Sequence, residues 1–289
     1  MVLPVLIYLM LFCYKPMYGL VIAFKDYKIT RGIEGSNWSN PWYKWFLNFF
    51  TDPYFGRLLK NTFMISGLTI LFGFPAPIIL ALMINEVKNS AFKRTVQTIT
   101  YMPYFISMVV LCGLLKTFSM QDGLFSQIAT VFGGKAQNFL ANPNYFRTIY
   151  VLSDIWSGIG WNSIIYLAAL SSIDQEQYEA ARVDGANRFQ QMLHITLPGL
   201  VPTIMILFIL RMGNILNVGY EKILLLYNSA TYSTADVIST YTYRLSFGGS
   251  GNPMYSKSTA IGLFNTIINV FFLMLTNMIS KKATDAGLF

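Results

Sequence analysis

Apolar and polar stretches alternate along the chain, and six apolar runs are each close to the ~20 residues that a helix needs to cross a bilayer. Pro75 and Pro77 interrupt the second run and should bend it, because proline removes a backbone donor from a helix. The sequence has neither an internal repeat nor a polar linker, so we expect residues 1–289 to form a single transmembrane domain. The approximate predicted spans are Leu3–Phe24, Leu58–Ile84, Ile99–Phe118, Thr148–Leu170, Gly199–Val218 and Thr259–Ser280.

A polar stretch at about 171–199, with EAARVDGANRFQQMLHITLP inside it, separates the fourth and fifth runs and predicts two short helices. Asp174 can cap the first helix, with Gln177 as its partner in a capping box. Gly185 can adopt the left-handed conformation that ends this helix. The second helix should end before Pro198. Its apolar residues recur at helical spacing and form one face: Phe189, Met192, Leu193 and Leu197.

Composition supports a membrane protein. Only 12% of the residues are charged, against about 25% in an average soluble domain, and the mean hydropathy is +0.47. The net charge of +8 comes from scattered residues, so nucleic-acid binding is not favoured. Basic residues are almost equally numerous on the two sides of the predicted topology, and the positive-inside rule therefore does not orient it. Because the sequence opens directly in an apolar run, we expect a basic cytoplasmic leader to precede it.

The fourth span, SDIWSGIGWNSIIY, places polar groups at membrane depth. A carboxylate there is costly, which makes Asp154 a candidate functional residue. The alternative is a structural role, in which Asp154 pairs with an arginine or a backbone group and Gly158 and Gly160 allow close helix packing. The other candidates of this span are Ser157, Trp161, Asn162 and Tyr166.

The fifth span carries a second polar set at a three-residue step, with two further polar residues beyond it. Such a stripe can face a substrate, or it can form hydrogen bonds between helices. The sequence shows no paired carboxylates, no metal-ligand cluster and no catalytic set around His194, so we expect neither catalysis nor a metal site. The residues of the set are Arg211, Asn214 and Asn217, followed by Tyr220 and Glu221.

The polar stretch follows the pattern EAA-x3-G-x9-I-x-L-P from Glu179 to Pro198. This pattern resembles the cytoplasmic EAA loop of permease subunits of binding-protein-dependent ABC importers. The resemblance implies that the loop docks on an ATP-hydrolysing partner and couples it to the membrane spans. It also implies that the loop and both termini are cytoplasmic, in a multi-pass protein of the bacterial inner membrane. The residues it assigns to coupling are Glu179, Ala180, Ala181, Asp184 and Gly185.

This chain has no G-x-x-x-x-G-K-[ST] loop, so we expect it to hold no cofactor. ATP and Mg²⁺ are expected in the partner, which would hydrolyse the ATP. The motor is therefore expected to be a separate subunit, and the chain itself a transport subunit and not an enzyme.

Three further segments, LPVLIYLMLFCYKPMYGLVIAFKDY, YMPYFIS and ITLPGLVPT, resemble oligosaccharide permeases of the maltose-transporter class. They are most similar to the subgroup for lipoprotein-linked polysaccharide and alginate-type oligosaccharides. The resemblance implies a type I ABC importer permease fold, a second permease subunit, two ATPase subunits and an extracellular solute-binding protein. In that family the matching stretch of the fourth span lines the sugar path, and the resemblance assigns Asp154, Ser157, Gly158 and Trp161 to its positions, although the family often has an amide where this chain has Asp154. The family segment that corresponds to the polar set of the fifth span faces the substrate, but the asparagines are shifted in register here. The residues predicted for the substrate path are Asp154, Ser157, Gly158, Trp161, Asn162, Arg211, Asn214, Asn217 and Tyr220.

Two other functions stay open from the residues alone. An ion-coupled secondary transporter could use Asp154 and Glu221 as its ion site, but such proteins usually contain inverted repeats. An ABC permease for a solute other than sugar would share the polar loop. The sequence leaves the identity of the sugar open, although the basic charge and Arg211 are compatible with an acidic glycan.

Overall fold

The computed structural model describes residues 2–248, 253–284 and 287–289. Within these residues the chain is helical, and its β pairing consists of one isolated bridge between Lys25 and Trp38. This agrees with the predicted all-α membrane protein.

Thirteen helices position the candidate site, and we number them α1 to α13 along the described part of the chain. Three of them, α1, α3 and α9, include π-helical or 3₁₀ turns and therefore run through several consecutive helical segments. The helices are α1 Leu3–Phe24, α2 Lys44–Phe50, α3 Phe55–Glu86, α4 Ser90–Tyr101, α5 Met108–Ser119, α6 Leu124–Val131, α7 Pro143–Ser171, α8 Gln175–Val183, α9 Arg188–Met212, α10 Tyr220–Leu226, α11 Tyr232–Ala235, α12 Ile238–Phe247 and α13 Tyr255–Thr284.

Five helical segments of the described residues are both long and apolar enough to cross a membrane, where six spans were predicted. They are α1, α3, α9, α13 and the segment Met108–Val131, which consists of α5, α6 and the turn between them. The predicted fourth span lies within α7, a single helix of 29 residues, which is about 43 Å long. This helix is long enough to cross a bilayer, but its polar residues make it less apolar than the five segments above.

The prediction that Ile99–Phe118 forms one continuous helix is wrong. The chain leaves α4 through a short 3₁₀ turn at Met102–Phe105 and starts again at α5. Ser107 begins the new helix, because its hydroxyl accepts a hydrogen bond from the backbone N–H of Val110. Pro103 lies in the 3₁₀ turn and has no N–H to continue the α-helical ladder.

The prediction that a helix of the polar stretch ends before Pro198 is also wrong. The second helix of the polar stretch continues as the long apolar helix α9, with a π-helical turn at Met192–Thr196 that ends two residues before the proline. A wider turn tolerates the missing proline N–H, because the ladder of hydrogen bonds is already shifted at that point. The same arrangement occurs in α3, where a π turn at Thr69–Gly73 precedes Pro75.

Helix α7 lies at the centre of the packing. It contacts the second half of α3, the helix α4 and the helix α9. The contact with α4 requires Gly160, because a side chain at this position would collide with the backbone carbonyl of Thr100. Tyr166, Leu170 and Leu200 are buried together where α7 meets α9. By contrast, residues 2–18 at the start of the chain are exposed.

Buried ion pairs fix the ends of the helices. The carboxylate of Asp236 is fully buried and accepts hydrogen bonds from Arg244 at 2.8 Å and from Arg57 at 3.2 Å. Asp52, just before α3, accepts a hydrogen bond at 2.6 Å from Lys257 of α13 and another from Tyr241 of α12. Burial alone would raise the pKa of Asp52, but these two hydrogen bonds lower the pKa below its ordinary value. The pairs therefore connect α3, α12 and α13.

Candidate substrate path and coupling hairpin

The polar stretch forms a hairpin of α8 and the first turns of α9, which we call the coupling hairpin (residues 174–196). Asp174 caps α8 by accepting a hydrogen bond from the backbone N–H of Glu176 at 3.0 Å. The predicted cap is confirmed, whereas the capping box with Gln177 does not form. A complete capping box occurs at the start of α9 instead, between Asn187 and Gln190.

Gly185 makes the turn between the two helices, as predicted. Its φ angle is +80°, in the left-handed region that favours glycine. The backbone N–H of Gly185 donates to the carbonyl of Arg182, and the N–H of Ala186 donates to the carbonyl of Ala181. These two bonds form a Schellman motif, which satisfies the last carbonyls of α8. The hydroxyls of Tyr178 and Thr196, 3.0 Å apart, hold the two helices together.

Most of the residues assigned to coupling lie on the surface of the hairpin. Glu179, Ala180, Asp184 and Gly185 are exposed, and Ala181 is half-buried. Two large apolar side chains beside them are exposed as well, Val183 at 88% and Phe189 at 66%. Exposed apolar residues next to small and acidic ones are suited to contact with another protein.

Two adjoining cavities lie between α3, α7 and the end of α9. The smaller has a volume of about 370 Å³ and also borders α10, and the larger has a volume of about 540 Å³. Four residues line both cavities and mark their common boundary: Thr69, Asp154, Arg211 and Asn214.

Eight of the nine residues predicted for the substrate path line these cavities. Asn217 and Tyr220 face the smaller cavity, and Gly158, Trp161 and Asn162 face the larger one. Asp154, Arg211 and Asn214 face both. Ser157 is the exception and lines neither cavity, and its hydroxyl donates a hydrogen bond to the carbonyl of Asp154 at 3.2 Å.

The polar set of the fifth span differs from the prediction in its geometry. Helix α9 ends at Met212, so Arg211 belongs to its last turn, while Asn214 and Asn217 lie in the turns that follow. The amide of Asn217 donates to the side-chain oxygen of Asn214 at 3.1 Å, and the amide of Asn214 donates to the carbonyl of Leu210 at 3.1 Å. The asparagines therefore face the cavity from an irregular segment and not from a stripe on a helix.

An aromatic group borders the larger cavity. The ring of Trp161 stacks on Tyr104 with a centroid distance of 4.7 Å and an interplanar angle of 5°. Phe105 contacts the same indole with its edge, at a centroid distance of 5.7 Å. Both partners of Trp161 come from the 3₁₀ turn that interrupts the predicted third span. Flat aromatic faces of this kind can pack against the C–H faces of a sugar ring.

Lys222 is the charged residue of the site that the sequence did not reveal. It is only 2% exposed, and its Nζ lies 3.0 Å from the carbonyl oxygen of Tyr150 and 3.4 Å from Oδ1 of Asp154. The Nζ also lies 4.5 Å from the centroid of the Tyr150 ring. Asp154 thus pairs with a lysine, while its side chain remains 42% exposed toward the cavities. The sequence signal that could have revealed Lys222 is its position directly before the apolar run ILLL.

Comparisons with known proteins agree with this architecture. The model of the family described as "Binding-protein-dependent transport system inner membrane component" matches residues 73–285. Protein LplB of Bacillus subtilis (strain 168) is 42% identical over 100% of this chain and 90% of its own length. The polygalacturonan/rhamnogalacturonan transport system permease protein YteP of the same organism is also 42% identical, over 100% of this chain and 89% of its own.

Two solved structures have a similar fold. A chain of a bacterial ABC transporter involved in the import of the acidic polysaccharide alginate has a TM-score of 0.88 and 45% identity, covering 98% of this chain and 94% of that one. A bacterial alginate ABC transporter in complex with an alginate pentasaccharide-bound periplasmic protein gives a TM-score of 0.88 and 44% identity, over 99% and 94% of the two chains.

Proposed function

Because the chain belongs to the family of inner membrane components of binding-protein-dependent transport systems, we propose that it acts as one of two different permease subunits of an ATP-driven oligosaccharide importer. Two ATP-hydrolysing subunits, which hold ATP and Mg²⁺, would complete the membrane complex, and an extracellular binding protein would deliver the sugar. The carbohydrate permeases among its relatives favour this function over an ion-coupled secondary transporter or a permease for a different solute.

The observation that carries the proposal is the coupling hairpin. It combines an exposed Glu179, small neighbours and a left-handed Gly185 with exposed apolar residues at Val183 and Phe189. We propose that this surface inserts into a cleft of an ATPase subunit. Because α9 continues without interruption from Arg188 into the membrane, a displacement of the hairpin is transmitted directly to the end of α9 that carries Arg211.

The transport cycle follows from this connection. ATP-driven approach of the two ATPase subunits would move the hairpins of the two permeases together. The spans would then rearrange so that the cavities between α3, α7 and α9 open to the outside and accept the sugar. Hydrolysis would reverse the movement and open the cavities to the cytoplasm. In this orientation the hairpin and both termini are cytoplasmic.

For the substrate path we propose the two cavities around Asp154 and Arg211. The asparagines Asn162, Asn214 and Asn217 would bind hydroxyl groups, and Trp161 would contact a sugar face. Since YteP is named for polygalacturonan and rhamnogalacturonan, and the similar solved structures concern alginate, we propose an oligosaccharide from an acidic polysaccharide.

The experiment is the substitution Gly185→Trp in the assembled transporter. The position is exposed and open, so the indole would project toward the partner. We expect normal membrane insertion, loss of ATPase subunits on purification and loss of ATP-dependent oligosaccharide uptake into proteoliposomes. Gly32→Trp is the matched control, because Gly32 also has a positive φ and open space but lies in the loop after α1. Normal complex recovery and uptake in Gly185→Trp would contradict the coupling role.

A further inference from the structure

An exposed arginine lies at the boundary of the two cavities. Arg211 lines both of them from the last turn of α9, and its side chain is exposed. Within the part of the chain that the structure describes, its guanidinium forms neither a hydrogen bond nor an ion pair. A guanidinium stays charged and presents its donors in a fork that matches a carboxylate. A cation at membrane depth is thus left available for a ligand.

The carboxylate that lines the same two cavities is already neutralised. Asp154 pairs with Lys222, whose ammonium is almost fully buried and is held in place by the carbonyl and the ring of Tyr150. The lysine therefore balances the charge of Asp154 from within the protein. Without it, Asp154 would compete with an anionic ligand for Arg211 and would repel that ligand.

One other acid borders the site. Glu221 is exposed and lines the smaller cavity but not the larger one. It forms no ion pair with Arg211 among the described residues. In the larger cavity the charged lining residues are Asp154 and Arg211. Once Asp154 is balanced, Arg211 determines the sign of the potential that a ligand meets there.

We propose that Lys222 is a specificity-determining residue of the substrate path. By balancing Asp154 it leaves Arg211 as the net cation of the larger cavity, and the cavity then prefers a saccharide that carries a carboxylate over its neutral form. This inference rests on the proposed function, in which these cavities hold the transported sugar.

The test is equilibrium binding to the purified membrane complex, without the binding protein, so that only the permease discriminates. The two probes are trigalacturonate and its fully methyl-esterified form, which have the same length but differ in charge. The wild-type complex should bind the acid more tightly than the ester. Lys222→Met, of similar length and without charge, should weaken binding of the acid roughly tenfold, because it leaves the charge of Asp154 unbalanced. Binding of the ester should stay unchanged.

Three further variants separate charge from structure. The double substitution Lys222→Met with Asp154→Asn removes both charges and should restore the preference for the acid. Lys116→Met is the matched control, because Lys116 is exposed and lines neither cavity. Arg211→Gln changes an exposed residue without affecting the buried pair, and it should abolish the preference even if Lys222→Met does not assemble.

Several results would overturn the inference. They are equal binding of both probes by the wild type, an unchanged preference in Lys222→Met or in Arg211→Gln, and an equal loss of both probes in Lys222→Met. ATP-dependent oligosaccharide uptake into proteoliposomes of the same complex, with the extracellular binding protein added back, distinguishes the two proposals. If uptake is normal while the two probes bind equally, only the role of Lys222 fails. If no oligosaccharide is taken up with ATP, the proposed function fails as well.

Discussion

The coupling hairpin and the paired cavities are stabilised by opposite means. In the hairpin the hydrogen bonds are local. The side chain of Asp174 accepts from a backbone N–H two residues further along, and that of Asn187 accepts from one three residues further along. Gly185 makes the turn between the two helices. In the cavities the decisive contact joins Lys222 to Asp154, which is 68 residues away in the sequence. The hairpin is largely exposed, whereas the ammonium of Lys222 is buried.

This difference separates the two proposed roles of the molecule. Exposed residues of the hairpin that do not cap a helix can be changed with little effect on the free energy of unfolding, so their effects should appear in partner binding. In the proposed function, charged residues of the cavities contribute both to ligand binding and to the free energy of unfolding, because removing one charge leaves another without compensation. The following substitutions test this contrast.

The largest effect is expected for Asp154→Ala. It leaves the buried ammonium of Lys222 without its counter-ion, and breaking such a pair costs about 3 kcal/mol, the low end of the usual range, since Asp154 is partly exposed. The measurement is thermal unfolding of the purified protein in detergent. Lys222→Met should cost less, because the remaining carboxylate can still be solvated. A loss in Asp154→Ala smaller than that in Lys222→Met would contradict the account of the pair.

The next-largest loss of stability is expected at a glycine of α7. Gly160→Ala should lower the free energy of unfolding by about 2 kcal/mol, because the new methyl group collides with the carbonyl of Thr100 and separates α7 from α4. Gly158→Ala is the matched control. Its methyl group meets only the side-chain nitrogen of Asn162, at 3.2 Å, so stability should be kept while the larger cavity narrows. Equal thermal stability of the two variants would contradict the packing role of Gly160.

Within the hairpin, Asn187→Ala removes a helix cap and should cost about 1 kcal/mol. The loss should be local, so amide hydrogen exchange should become faster at Gln190, whose N–H bonds to the Asn187 side chain at 2.9 Å. Exchange in α7 should stay unchanged. Faster exchange throughout the spans would show that the hairpin and the cavities form one cooperative unit.

The smallest effect on stability is expected for Glu179→Gln. The side chain is exposed, so the free energy of unfolding should change by less than about 0.5 kcal/mol. Recovery of the ATPase subunits with the purified permease should nevertheless fall. Gln177→Ala, at another exposed position of α8, is the control for that recovery. Full recovery with Glu179→Gln would exclude an acidic contact at this position.

The same contrast explains what the sequence could predict. The cap at Asp174 and the turn at Gly185 follow from residue types at short spacing, and both were predicted. The pairing of Asp154 with Lys222 depends on how α7 packs beside α10, and no local pattern encodes that contact. The interruption of the third span at Ser107 was missed because the apolar run continues across it, although Pro103 and the serine were visible signals.

The continuation of α9 through Pro198 was missed for a related reason. A proline usually ends a helix, and the π turn that accommodates this one involves five residues whose types give no warning. Eight of the nine candidate path residues line the cavities, and the sequence could single them out because polar groups in apolar runs are rare. Their separation into two cavities, with Arg211 at the boundary, required the folded chain.

The most direct test of the central claim is photo-crosslinking in the assembled transporter. A photoreactive amino acid is placed at Val183 in the hairpin or at Trp38 in the loop after α1, both of which are strongly exposed, at 88% and 64%. In the proposed topology these positions lie on opposite sides of the membrane. We predict a covalent adduct with the ATP-hydrolysing subunit from position 183 and none from position 38. An adduct from position 38, or none from position 183 in an intact complex, would contradict the account.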